Sequence, residues 1–144
     1  MNKLITLLNK EVANFGVLYT KLHNFHWLVE GNQFYQLHAK FEELYDEATE
    51  HFDALAERIL MLEGRPVATL KEFLELATIK EANGGENDMA MVEAVVDDFA
   101  LIDKELSEGI KLAEAVEDDV TVDLLTGIRS SLQKHLWMLR TVLK

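Results

Sequence analysis

An all-α fold, a four-helix bundle, is what three features of the sequence predict. Apolar residues recur at three- and four-residue spacing over four long stretches, the mark of amphipathic helices. One proline and seven glycines are all that interrupt 144 residues, too few for a strand-and-turn architecture. Two of the breaks between stretches span only a few residues and one is long. The helices therefore pair as two hairpins joined by a crossover.

The first helix, α1, is predicted from about residue 3 to 29, with Leu4, Leu8, Phe15, Leu18, Leu22 and Phe25 on its core stripe. Gly31-Asn32 turns the chain into α2, about 34 to 63. With His38 as zero and about 100° per residue, Leu37, Phe41, Leu44, Ala48, Phe52, Leu55, Ile59 and Leu62 fall between about −120° and −40°. Gly64-Arg65-Pro66 is a glycine-then-proline helix end. Thr69 with Glu72 forms a capping-box pattern that opens a short helix, α3, through about Ala77. After the Asn83-Gly84-Gly85 loop, α4 runs from about 88 to 116 on Val92, Val95, Phe99, Ile102, Leu106 and Ala113. Glu117-Asp118-Asp119 then leads into α5, which reaches the end on Leu125, Ile128, Leu132, Leu136, Leu139 and Leu143.

A single domain spanning 1–144 is expected, long enough for a proper core. No run of about 18 uncharged apolar residues suggests a transmembrane helix. The opening Met-Asn-Lys-Leu-Ile-Thr lacks the regions of a signal peptide. With no cysteine there are no disulfides and no thiolate ligands, and a cytoplasmic location is expected. Charge is uneven. Residues 86 to 123 hold thirteen acidic side chains against Lys104 and Lys111, a balance of −11 within a net −12. Such a field attracts cations and repels nucleic acid. The first ten residues, with only Lys3 and Lys10, supply no basic arm.

Two imidazoles and several carboxylates, His26, His38, Glu42, Asp53 and Glu57, lie on α1 and α2. That set suits ferrous iron, manganese or zinc. His26 lies about five residues before the turn and His38 about six after it, so they face each other. Asp53 lies 15 residues beyond His38, roughly 22 Å further along the helix. A metal with bonds near 2 Å spans only about 4 Å between opposite ligands. The histidines and the Asp53/Glu57 pair are thus two half-sites, which a two-fold axis laying α2 antiparallel to its copy would join. On the wheel Glu42, Asp53 and Glu57 fall near 40°, 60° and 100°, away from the core stripe. Tyr35, Thr49, Ala56 and Leu60 share that face, a mixture that fits an interface better than a solvated surface.

These residues sit in His-Asn-Phe-His-Trp ending α1, Leu-His-x-x-Phe-Glu-Glu-Leu-Tyr and Asp-x-x-Ala-Glu-Arg-Ile on α2, and Lys134-His-Leu-Trp-Met-Leu on α5. The whole chain resembles the Dps-type mini-ferritins (DNA-binding protein from starved cells), a branch of the ferritin superfamily. The resemblance implies a ferritin-like four-helix bundle with a short extra helix in the long crossover. It also implies a homododecamer acting as a ferroxidase, which oxidises ferrous iron with hydrogen peroxide, stores ferric mineral and protects against oxidative damage. By position it assigns the metal ligands His26, His38, Glu42, Asp53 and Glu57, in sites at a two-fold interface holding two irons each. Zinc, cobalt or manganese could occupy the same ligands. Glu42 stands where relatives often carry Asp. Trp27 and Trp137 match tryptophans near the site regarded as electron donors, and Glu114, Asp119 and Asp123 fall where relatives line a three-fold pore.

Plainer readings stand beside these. His23 and His51 read as satisfied interior histidines, and Trp27 and Trp137 as packing residues. Asp97, Asp98, Asp103 and Glu105 read as a solvated face. An ordinary ferritin centre would need Glu-x-x-His pairs. The residues three before each histidine are Thr20, His23, Tyr35, Ala48 and Leu132, so that centre is not expected. A DNA-condensing protein would want basic tails, and a metal-free structural bundle would need no ligand constellation. Neither DNA nor a membrane is expected as a partner.

Overall fold

The computed structural model describes all residues, Met1–Lys144, in five helices without a strand. They are α1 (Asn2–Leu28), α2 (Phe34–Met61), α3 (Leu70–Leu76), α4 (Asp88–Ala115) and α5 (Asp119–Val142). Every end lies within two residues of its predicted position. None of the helices is long and apolar enough to cross a membrane.

α1 packs along α2 and α4 along α5 as antiparallel hairpins. Lys21 pairs with Asp98, and Asn14 reaches Glu105, so α4 runs opposite to α1. Arg58 meets Asp118 while Glu47 meets Ser131, so α5 runs opposite to α2. α2 and α4 therefore point the same way on diagonal corners, and only a long crossover can join them. The predicted stripes form one core. All six residues of the α1 stripe and all six of the α4 stripe are buried. On α2 and α5, Phe52, Leu62 and Leu143 are only partly covered at its margins.

Gly31 makes the first turn at φ 119°, a conformation that L side chains rarely adopt. The crossover docks through α3: a side chain on Gly16 would sit 2.8 Å from the Phe73 ring, so the glycine is the notch that seats it. Thr69 caps α3 as expected, accepting from the Glu72 amide at 3.2 Å. The end of α2 differs in detail. The left-handed residue is Glu63 (φ 64°), not Gly64, with Gly64 N–H donating to Ile59 and Glu63 N–H to Leu60. Gly64 is needed for space, because a Cβ there would press on Ile5 and Ile59 at 3.0 Å.

The solvated reading of the α4 face holds for exposed Asp97 and fails for three neighbours. Asp98 is buried and pairs with Lys21 at 2.8 Å. Asp103 binds Arg129 at 2.8 Å. Glu105 is buried, accepting from Asn14 and from Thr78, each at 3.0 Å. Asn14 ties the knot: its amide also donates to Glu11, and its oxygen accepts the Thr78 and Ile79 N–H groups, anchoring the crossover. Burial and the adjacent Glu105 carboxyl push Glu11 up to about 9, so it is protonated at neutral pH.

Candidate metal centre

The last turn of α1 and the first of α2 meet above Gly31, bringing His26 and His38 ring to ring. Their centroids are 3.7 Å apart and their planes 12° from parallel. His26 Nδ1 donates to the His38 carbonyl at 2.6 Å, and His38 Nδ1 donates to the His26 carbonyl at 2.7 Å. His26 lies in the final turn of α1, where carbonyls lack partners within the helix, so His38 satisfies one of them. With both Nδ1 atoms used as donors, Nε2 is on each ring the nitrogen left for a metal ion.

Glu42, one turn after His38, brings its exposed carboxylate to 3.8 Å from His26 Nε2. Behind His26 an aromatic group closes the wall. Tyr45 meets it edge-on with centroids 5.3 Å apart, and stacks on His23 at 3.7 Å. Burial and the Glu42 and Asp46 carboxylates raise the Tyr45 hydroxyl above its ordinary value. His23 also donates to the Tyr19 carbonyl at 2.7 Å and is satisfied, as expected.

Asp53 and Glu57 are exposed further down α2 and do not join the histidines. No three His, Asp or Glu side chains of one chain are so placed that they could hold a metal ion by themselves. Trp27 and Trp137 are 68% and 65% exposed, so the packing reading fails for both within the chain. The Trp27 ring does lean on His23, centroids 5.3 Å apart. Glu114, Asp119 and Asp123 are all exposed around the α4–α5 turn.

A family model described as "Ferritin-like domain" matches residues 5–144. The chain is 54% identical over 144 residues to DNA protection during starvation protein 2 of Bacillus anthracis, covering 99% of each. Dps from Staphylococcus aureus superposes with a TM-score of 0.98 at 47% identity, over 100% of this chain and 97% of that one. Dps from Bacillus brevis also gives 0.98, at 50% identity over 99% and 96%. The chain is a Dps-type member of the ferritin-like family.

The bundle interior of this Dps-type chain holds a polar group that the sequence reading missed. Glu47 accepts from Ser131 at 2.6 Å and contacts His135 and His51 at 3.2 Å each. Lys40 Nζ lies 3.1 Å from His135 Nδ1 and donates there. Burial opposes ionisation of Glu47, but the bonds from His135, His51 and Ser131 outweigh it and hold the carboxyl well below its usual range. His51 is thus satisfied, as expected. The signal was available: Glu47 and His51 are four apart on the side of α2 opposite His38.

Proposed function

We propose that this Dps-type chain assembles as a hollow dodecamer that oxidises ferrous iron with hydrogen peroxide at shared sites and stores the ferric product. One iron is bound by His26 and His38 of one subunit with Asp53 and Glu57 of the partner subunit. A second, weaker iron binds beside it through Glu42. Peroxide takes one electron from each ferrous ion and, with two protons, leaves as two waters, so no hydroxyl radical is released. Iron is the substrate here; zinc, cobalt or manganese could compete for the same ligands. Trp27 and Trp137 stand as electron donors near the site.

The observation that carries this reading is the His26–His38 lock. Two imidazoles held 3.7 Å apart with free Nε2 atoms are a ligand pair built before any metal arrives. The Nδ1 bonds brace the hairpin, and the Nε2 atoms are the part of the pair that this bracing leaves unused. The chain offers it too few carboxylates on its own, and the unpaired Asp53 and Glu57 are the complement that a copy would bring. Exposed Glu114, Asp119 and Asp123 supply the cation entrance, and the −12 charge argues against duplex DNA as a partner. The protein acts in the cytoplasm.

Light scattering and an anaerobic ferrous titration test the proposal together. A particle of about twelve chains should bind iron in the absence of oxidant and turn over on adding peroxide. A stable monomer would sink the reading, because no shared site could form.

A further inference from the structure

Around the α4–α5 turn stand Glu114, Glu117, Asp118 and Asp119, and among them only Asp118 meets a cation. That cation is Arg58, the chain neighbour of Glu57. Its Nη2 donates to Asp118 Oδ1 at 2.9 Å and its Nε to Thr121 Oγ1 at 2.8 Å. The two side chains are 15% and 10% exposed, so the pair is largely shielded from water and salt. Asp118 is also the cap of α5, accepting from the Thr121 amide at 3.0 Å. Burial opposes its ionisation, but the Thr121 and Arg58 bonds prevail and hold its carboxyl below the usual value.

The turn needs an anchor. Glu117 sits at φ 57°, an unfavourable conformation for a side chain with a Cβ. Nothing else on α2 is hydrogen-bonded to the turn. Released from Arg58, the start of α5 could shift, and with it Asp119 and Asp123 in its first two turns.

We propose that Arg58 is a positioning residue for cation entry, bolting the α4–α5 turn to α2 so that Asp119 and Asp123 project at a fixed height. This rests on the reading that those acids form the entrance. The alternative role, a plain positive charge, predicts the opposite sign. A free cation at an entrance repels ferrous ions, so removing it would speed uptake.

The test is ferrous uptake by the assembled protein over a range of iron concentrations, with Arg58→Met, Arg58→Lys and Asp118→Asn. Arg58→Met should raise the half-saturating iron about tenfold while leaving the limiting rate unchanged. Arg58→Lys should fall between, because lysine lacks the two-pronged donor geometry. Asp118→Asn keeps a good cap and weakens the pair, so it should shift the same way and carries the test if Arg58→Met fails to assemble. Amide hydrogen exchange at residues 117 to 121 should quicken in all three variants. Faster or unchanged uptake in Arg58→Met overturns the proposal, as does Arg58→Lys matching wild type while Arg58→Met does not. If Asp119→Asn with Asp123→Asn has no effect, the entrance itself fails. If those matter and Arg58 does not, only the clamp fails.

Discussion

His26 and His38 each hand a ring hydrogen to the other's backbone carbonyl, closing a two-bond cycle between the two helices of the first hairpin. The cycle fixes the ring tautomers without help from any other side chain. Folding the hairpin is therefore enough to build the nitrogen half of the proposed centre, whose carboxylate half would come from a partner copy.

Subunit complementation follows. His26→Ala and Asp53→Ala should each remove nearly all peroxide-driven iron oxidation. Mixing the two under conditions of subunit exchange should restore part of it, because some mixed dimers regain one intact site. Exchange confirmed by mass spectrometry with no return of activity would place each site inside one chain.

Neutralising the acidic turn should separate local from global charge. Glu114→Gln with Asp119→Asn and Asp123→Asn should slow iron uptake, less so as salt rises, without loss of binding at the shared centre. Exposed Glu93 and Asp97 are the fair controls and should do much less. Asp98 is not one: Asp98→Asn strands the buried Lys21 ammonium and should cost about 3 kcal/mol in a urea melt.

Glu11 should make the fold sensitive to alkali. Its folded value of about 9 lies above the ordinary 4.5, so the folded chain keeps a proton that the unfolded chain loses between those limits. This contribution is fully present below the ordinary value and declines as pH rises towards about 9. The slope is at most about 1.4 kcal/mol per pH unit. Glu11→Gln removes the proton from the balance. Its melts should match wild type near pH 5 and exceed it near pH 9; parallel curves would show that the pair does not titrate in this way.

At the end of α2, Glu63→Gly should stabilise the protein by about 1 kcal/mol, since a left-handed φ of 64° is costly only for a residue with a Cβ. Thermal midpoints of the two proteins decide it, and an unchanged or lower value would mean that the Glu63 side chain offsets the backbone cost.

The helical frame was legible because its apolar stripes are long and regular. The face-to-face histidines were legible because a turn of five residues leaves little freedom in the register of a hairpin. Buried charge was harder. Asp98 and Glu105, seven residues apart, fall beside the α4 stripe, near Met91 and Ile102, and their charge made them read as solvated. Their partners, Lys21, Asn14 and Thr78, lie 27 to 91 residues away in sequence, and no local pattern announces them. The glycine at 64 misled for a related reason: it serves the crowding of Ile5 and Ile59, not the turn of its own backbone. The proposed union of Asp53 and Glu57 with the histidines would need a second molecule, and its one sign in the sequence is distance along α2.

Because α2 and α4 run the same way, the crossover must return the length of the bundle, about 40 Å for helices of this size. Residues 62 to 87 would reach about twice that distance if extended. The surplus is taken up by one short helix seated on Gly16 and by a loop where a side chain at Gly84 would meet nothing within 4 Å. The bundle thus prescribes where this segment starts and ends but not how much chain lies between. That leaves a natural place for insertions and deletions to accumulate during evolution without shifting the register of any long helix.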